Sequence, residues 1–366
     1  MNSLFAPVVN LWSEMRRGNI PLPEVVPIER DRCLPRGSAG SIIRRNQMYF
    51  TIWLTEMHLT QNRQWWSEFD PLVVIVVEFN YGNERVAIPK VIGPSLIATK
   101  KVGDKPLHGS VLLDTKVTGP HPYRGDDVAI SVALYQVERV NHAGVLLSLV
   151  ESLSAALGGP SDMAAIGKTG EVVLRGIEGL LGLGGTKLLA GARMSLATSI
   201  VNPLTSGFTA IVAPPIPPVS QLCVADRRLR IGANEESGPY QSSDFVLIGV
   251  GGSEAREDEN VLPFFPMKAE ALAAIFEGES GIKRGKATLI AAYQQMLKSP
   301  DLTANGAGSL FDGWVKEFEG EKERLKRVRV LSQGGTDEAV RMRRSTHGGG
   351  AQVLKDLDKA MGRLDF

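Results

Sequence analysis

Apolar residues change their spacing twice along this chain. Between about 46 and 140 they form short blocks or alternate with polar residues, in QMYFTIWLTEMHLT, PLVVIVVEFNYGNERVAIPKVIG, GSVLLDTKVTG and DDVAISVALYQVERV. These runs are rich in Val, Ile, Thr and aromatic residues and are bounded by Gly, Pro, Asn and Asp, which predicts strands. Tyr81-Gly82-Asn83 reads as a hairpin turn, because Gly82 is free to take positive φ. In ISVALYQV both sets of alternate positions are apolar apart from Ser131 and Gln136, which predicts a strand covered on both faces.

From 141 the spacing becomes helical. Leu146, Val150, Leu153 and Leu157 share a stripe that ends at Gly158-Gly159-Pro160, and Ile166, Val173, Ile177 and Leu180 share a second one. A helical hairpin over 141–183 is expected. Strand patterns return in KLLAGARMSLATSI, GFTAIVAPP, QLCVADRRLRIG and SDFVLIGVGG, and helices are predicted at 269–277 and about 286–298.

These runs place the chain in the α+β class, with a sandwich-like antiparallel sheet over 46–140, the helical hairpin, and a second β region with helices over 187–300. A single composite core is the alternative to two sheets. Residues 1–45 read as a turn-rich leader. Residues 301–366 read as a tail, in which SPDLTANGAGS is a linker by composition and EKERLKRVRV a solvated charged helix.

Composition narrows the chemistry. Lys plus Arg (41) nearly balances Asp plus Glu (40), so no whole-molecule field selects nucleic acid or anionic membrane. The basic runs 322–329 and 341–344 lack interleaved aromatics, which also argues against nucleic acid. Cys33 and Cys223 lie far apart in a Cys-poor chain, as a reducing cytosol permits. The first residues show no basic start followed by an apolar core, so a cytoplasmic location is expected.

The segment IGKTGEVVLRGIEGLLGLGGTK, 166–187, contains a Gly-Lys-Thr. A phosphate loop needs glycine five residues before Gly167, and that position is Asp162. Lys168 and Thr169 therefore read as helical residues of the hairpin. No cofactor or metal is expected: CxxC, paired histidines and calcium-loop spacing do not occur, although Asp126-Asp127 and SEAREDEN (253–260) could meet at an edge. Gly249-Val250-Gly251 lacks the third glycine of a dinucleotide fingerprint. No catalytic residue is assigned; His58 is expected at a surface or rim, and His108 and His121 in turns.

The segment from Gln221 to Phe264, QLCVADRRLRIGANEESGPYQSSDFVLIGVGGSEAREDENVLPF, resembles bacterial conflict and antiviral-defence proteins found beside caspase-like or other peptidase effectors. GSVLLDTKVTGPHPYRGDDVAISVALYQVE is similar to the sandwich strand pair near the start of such proteins. The resemblance implies a non-enzymatic component with a protein partner, a peptidase or another defence effector, and carries no catalytic residue.

The leading expectation is thus a cytoplasmic, non-enzymatic scaffold or adaptor. Its partner-binding element is AQVLKDLDKAMGRLDF, where Val353, Leu354, Leu357, Met361 and Leu364 form an apolar helical face. A protease-accessible linker carrying Arg341, Arg343 and Arg344 delivers it. The alternatives are a membrane-active effector using the Gly-rich apolar region 179–217, and an enzyme whose site is assembled from scattered residues.

Overall fold

In the two large sheets the strand-forming segments pair antiparallel, but not in chain order. The structure, a computed structural model, describes residues 23–37, 39–60, 69–82, 84–93, 109–138, 173, 176, 186–197, 203–232 and 237–333. They fall into two compact units, one of the described residues up to Phe265 with Gln295–Ser309, the other of Pro266–Gln294 with the described residues from Leu310 on.

The first unit contains β1 (Glu24–Pro27), β2 (Cys33–Leu34), β3 (Tyr49–Leu59), β4 (Phe69–Tyr81), β5 (Glu84–Ile92), β6 (Gly109–Pro122) and β7 (Val128–Glu138). It continues with β8 (Thr186–Ala197), β9 (Gly207–Val212), β10 (Leu222–Ala225), β11 (Arg228–Ile231), β12 (Gly238–Pro239) and β13 (Phe245–Ser253). A five-stranded sheet has the order β1-β9-β13-β3-β6, and a four-stranded sheet the order β5-β4-β7-β8. A smaller sheet, β12-β11-β10-β2, contains the parallel pairing of β10 with β2.

The expected division into one sheet from 46–140 and another from 187–252 is therefore corrected: the two segments share sheets. β13 lies between β3 and β9, and β8 extends the sheet of β4 and β7. The reason is edge satisfaction. Long strands such as β3 and β7 have backbone donors and acceptors on both edges, and the returning segments fill the edges that the early hairpins leave open.

The two large sheets share one core. Phe50, Ile52, Leu54 and Ile248 from the five-stranded sheet join Val73, Ile75, Val77 and Ile130 from the other. Phe50 meets Phe79 edge-to-face at 5.3 Å between centroids. The β4–β5 hairpin turns at Gly82, whose φ of 60° is the positive value the turn needs. In β7 both faces are covered, since Ile130, Val132 and Leu134 are buried and so are Ser131, Ala133 and Tyr135. Val173, in helical conformation within the expected hairpin, is buried in the same core. Apart from Val173 and Gly176, that hairpin lies outside the described residues.

A second core forms where the small sheet packs on the outer face of the five-stranded one. There Val26, Ala210, Val212, Phe245 and Leu247 meet Cys33, Leu222, Val224 and Leu229.

The helices expected at 269–277 and about 286–298 are α1 (Phe265–Ala274) and α2 (Glu279–Lys298), and a third, α3 (Ala304–Gln333), occupies the start of the expected tail. In the second unit Lys268 pairs with Glu317 at 2.8 Å, and Tyr293 stacks on Phe311 at 4.4 Å. Ala271, Ala274, Leu289, Trp314 and Phe318 are buried.

The expected linker SPDLTANGAGS is corrected: from Ala304 it is the first turn of α3. Thr303 caps that turn, its Oγ1 accepting the Gly306 N–H at 2.9 Å, and its own N–H donates to Tyr49 Oη at 3.1 Å. Asn305, Gly306 and Gly308 suggest a loop by composition, but the cap and its buried anchor outweigh their low helix propensity.

Candidate functional site

The site begins with an irregularity in β3. Along the ladder with β13, Ile248 faces Leu54 and Leu247 faces Glu56, so Thr55 is an extra residue in a β-bulge. Ile52 and Leu54 point into the main core before the bulge, and Met57 and Leu59 after it. The bulge shifts the alternation by one, so that Thr51 and Trp53 share the outer face with Glu56 and His58.

The outer face then divides in two. One half lies beneath the small sheet, where Glu56 Oε2 accepts the Leu229 N–H at 2.6 Å and His58 stacks on Phe245 at 5.6 Å. His58, expected at a rim, is instead 3% exposed. Burial lowers its pKa, against smaller raising effects of a Gln241 backbone hydrogen bond and the Asp244 charge.

The other half is an open cleft of about 560 Å³ lined by Thr51, Trp53, Lys116, Gly251, Ser253 and Glu257, among others. Gly251 makes room for the indole: a Cβ there would lie 2.6 Å from Trp53 Cζ3. The β10–β11 turn, Asp226-Arg227, has both residues at positive φ and carries Arg227 to 5.5 Å from the Trp53 ring centroid. Arg227 is also held by Asp114 at 2.6 Å. Trp53 remains half-buried.

Below the cleft rim lies a buried charge network within the first unit. Arg256, whose side chain is 3% exposed, binds both oxygens of Asp258 at 2.7 and 3.1 Å, and donates to Asp301 O at 2.9 Å. Beside it His121 is buried at the end of β6, contrary to the turn expected for it. Its Nε2 meets Thr118 Oγ1 at 2.7 Å and its ring packs on Phe79 at 4.6 Å. Burial, with smaller contributions from Arg256 and Lys116, lowers its pKa to about 3, so the ring is neutral at ordinary pH. Lys90 is buried as well, and its pKa is lowered by desolvation and then by Lys116.

The remaining candidates fall elsewhere. Asp127 accepts hydrogen bonds from Ser195 and Arg85, and Asp258 is taken by Arg256; among the described residues no group of three potential ligands could hold a metal. Cys33 and Cys223 are buried free thiols, and burial pushes the Cys33 thiol up to about 11. Gly249 and Gly251 lie within strand β13 rather than in a phosphate turn, and Gly251 lines the cleft. Residues 186–197 and 207–212 of the suggested membrane region are strands, and among the described residues no helix is long and apolar enough to cross a membrane.

Lys168, Thr169 and His108 lie outside the described residues. So do Arg341, Arg343, Arg344 and the apolar face of Val353, Leu354, Leu357, Met361 and Leu364. Of the cleft residues, Trp53 and Lys116 are not singled out by sequence reasoning, and Glu257 enters it only as part of the acidic segment 253–260. The signal available was Trp53 alternating with Thr51 on the polar side of a strand otherwise apolar.

No family model matches the chain, and no curated protein or solved structure matches it.

Proposed function

We propose that the chain is a non-enzymatic adaptor that binds a protein partner through the segment following α3. The observation that supports this reading is the surface of α3 itself. Phe318 is its last buried residue among those described, and from Glu319 to Val328 every position is half-buried or exposed. Glu319 pairs with Lys322, Glu321 with Arg324 at 3.3 Å and Glu323 with Lys326 at 2.7 Å. A helix surface with no buried residue, laced with short-range ion pairs and interrupted only by the half-buried Leu325 and exposed Val328, is suited to bridging through solvent rather than to packing.

Such a helix leads toward the apolar face of Val353, Leu354, Leu357, Met361 and Leu364, a pattern suited to a groove read through i, i+4 and i+7 anchors. A place beside a peptidase effector in bacterial defence follows from the sequence resemblance alone. The test is affinity capture from the source cell with the full chain and with Leu357→Asp/Met361→Asp. The reading expects capture to fall strongly and the melting temperature to change little. Unchanged capture with a melting temperature lower by many degrees overturns it, as does turnover of a nucleotide, peptide or ester that one polar substitution in the Trp53 cleft abolishes.

A further inference from the structure

The cleft on the outer sheet face has a chemistry that the adaptor reading leaves unused. Lys116 and Glu257 both line it and both are exposed, yet among the described residues neither forms a salt bridge, with the other or with any third group. Their neighbours are committed. Asp258 is held by Arg256, and Arg227 by Asp114. An ammonium and a carboxylate in one cleft call for a ligand that accepts from the first and donates to the second.

Ligand classes differ sharply on that requirement. A phosphate-bearing molecule would face the Glu257 and Asp258 carboxylates with Lys116 as the one lining cation not committed to a carboxylate. A purely apolar molecule would desolvate Lys116 and Glu257 without replacing their hydrogen bonds. A sugar hydroxyl is both donor and acceptor, so one type of group serves both residues. Thr51 adds a hydroxyl to the wall, and Ser253 Oγ donates to Ala255 O at 2.9 Å, which leaves its lone pairs for an incoming donor.

An aromatic ring, Trp53, lines the cleft too. Trp53 meets β13 at Gly251, where the absence of a side chain makes room for the Cζ3–Cη2 edge of the indole. Arg227 lies over one face of the ring at 5.5 Å from its centroid, and the half-buried ring lines the cleft, which leaves the opposite face for a ligand. The C–H face of a pyranose is apolar and flat enough to pack on such a ring, whereas its equatorial hydroxyls point sideways toward polar walls. The volume of about 560 Å³ is in the range of ordinary small-ligand sites.

We propose that this cleft binds a short uncharged saccharide, with Trp53 as the stacking platform, Lys116 as donor and Glu257 as acceptor. The inference stands apart from the partner-binding reading, because it involves no residue of α3 or of the C-terminal segment.

The full chain is titrated with cellobiose, maltotriose and N,N′-diacetylchitobiose, followed by tryptophan fluorescence and saturation-transfer NMR. At least one is expected to bind, and Trp53→Ala to abolish that binding. Lys116→Gln and Glu257→Gln, both at exposed positions, are expected to weaken it about tenfold each with an unchanged melting temperature. These two variants decide the matter if Trp53→Ala does not fold. Absence of binding by all three sugars up to roughly 20 mM overturns the proposal, as does binding that survives both glutamine variants. Glycylglycine or inorganic phosphate that binds instead and is lost in the same variants also overturns it.

Discussion

Glu56 holds the backbone N–H of Leu229 at 2.6 Å, so a fully buried carboxylate on β3 fastens the small sheet to the large one. Replacing it with alanine leaves a buried N–H unsatisfied, which costs about 1–3 kcal/mol. Glu56→Ala is expected to lower the urea midpoint accordingly with an unchanged slope. Glu56→Gln keeps an acceptor for Leu229 and loses less. Equal losses in the two variants would show that the charge, not the Leu229 bond, is what matters.

A second buried carboxylate is arranged differently. Glu78 on β4, with its side chain 4% exposed, meets Arg193 at 3.1 Å and Arg85 at 3.7 Å. Either arginine removed alone leaves the other to balance the charge. Arg193→Met and Arg85→Met are each expected to cost about 1 kcal/mol, since both guanidinium groups are partly solvated. The double variant isolates the carboxylate and is expected to cost about 3 kcal/mol or more. A double-mutant cycle measures the excess, and strict additivity would refute the shared-partner geometry.

The bulge that places Glu56 and His58 was partly legible. In YFTIWLTEMHL the inward residues Ile52 and Leu54 are followed by Met57 and Leu59, so the apolar spacing slips by one at Thr55. Plain alternation reads past that slip and leaves His58 at a rim. The strands themselves were legible because β-branched and aromatic runs between Gly, Pro and Asn have few other uses. Their pairing was not, because edges are chosen by complementarity between segments nearly two hundred residues apart, as His58 and Phe245 are. The cleft was hidden for the same reason: Trp53, Lys116 and Glu257 come from three separate segments.

The neutral histidines make stability depend on pH. His121 has a folded pKa of about 3 against an ordinary 6.5, and His58 is shifted in the same direction. For a base lowered in the folded state, the unfolded chain takes up the proton first as pH falls. Stability is then highest above about 6.5 and declines through the window down to 3. From pH 7.5 to pH 5, His121 alone is expected to account for a loss of about 2 kcal/mol. Thr118→Val/His121→Phe, which removes the imidazole and its hydroxyl partner together, is expected to flatten the profile by that amount. A profile unchanged in the variant would place the acid sensitivity elsewhere.

The glycines of α3 offer a paired test of how its first turn is anchored. Helix-interior glycine is less favourable than alanine by about 0.5–1 kcal/mol, so replacement stabilises wherever a methyl group fits. At Gly308, Gly313 and Gly320 a Cβ would meet nothing within 4 Å. Each is expected to raise stability by about 0.5–1 kcal/mol when changed to alanine. At Gly306 the same Cβ would sit 2.0 Å from Tyr49 Oη, the atom that also accepts the Thr303 N–H. The methyl must push the tyrosine away and break that bond, so Gly306→Ala is expected to cost about 1–3 kcal/mol despite its better helix propensity. Adding Tyr49→Phe should recover part of the loss, since the clashing oxygen is gone, although the Thr303 N–H still lacks its acceptor. Thermal unfolding of the single and double variants reads the signs directly. A stabilising Gly306→Ala would mean that α3 does not begin on Tyr49.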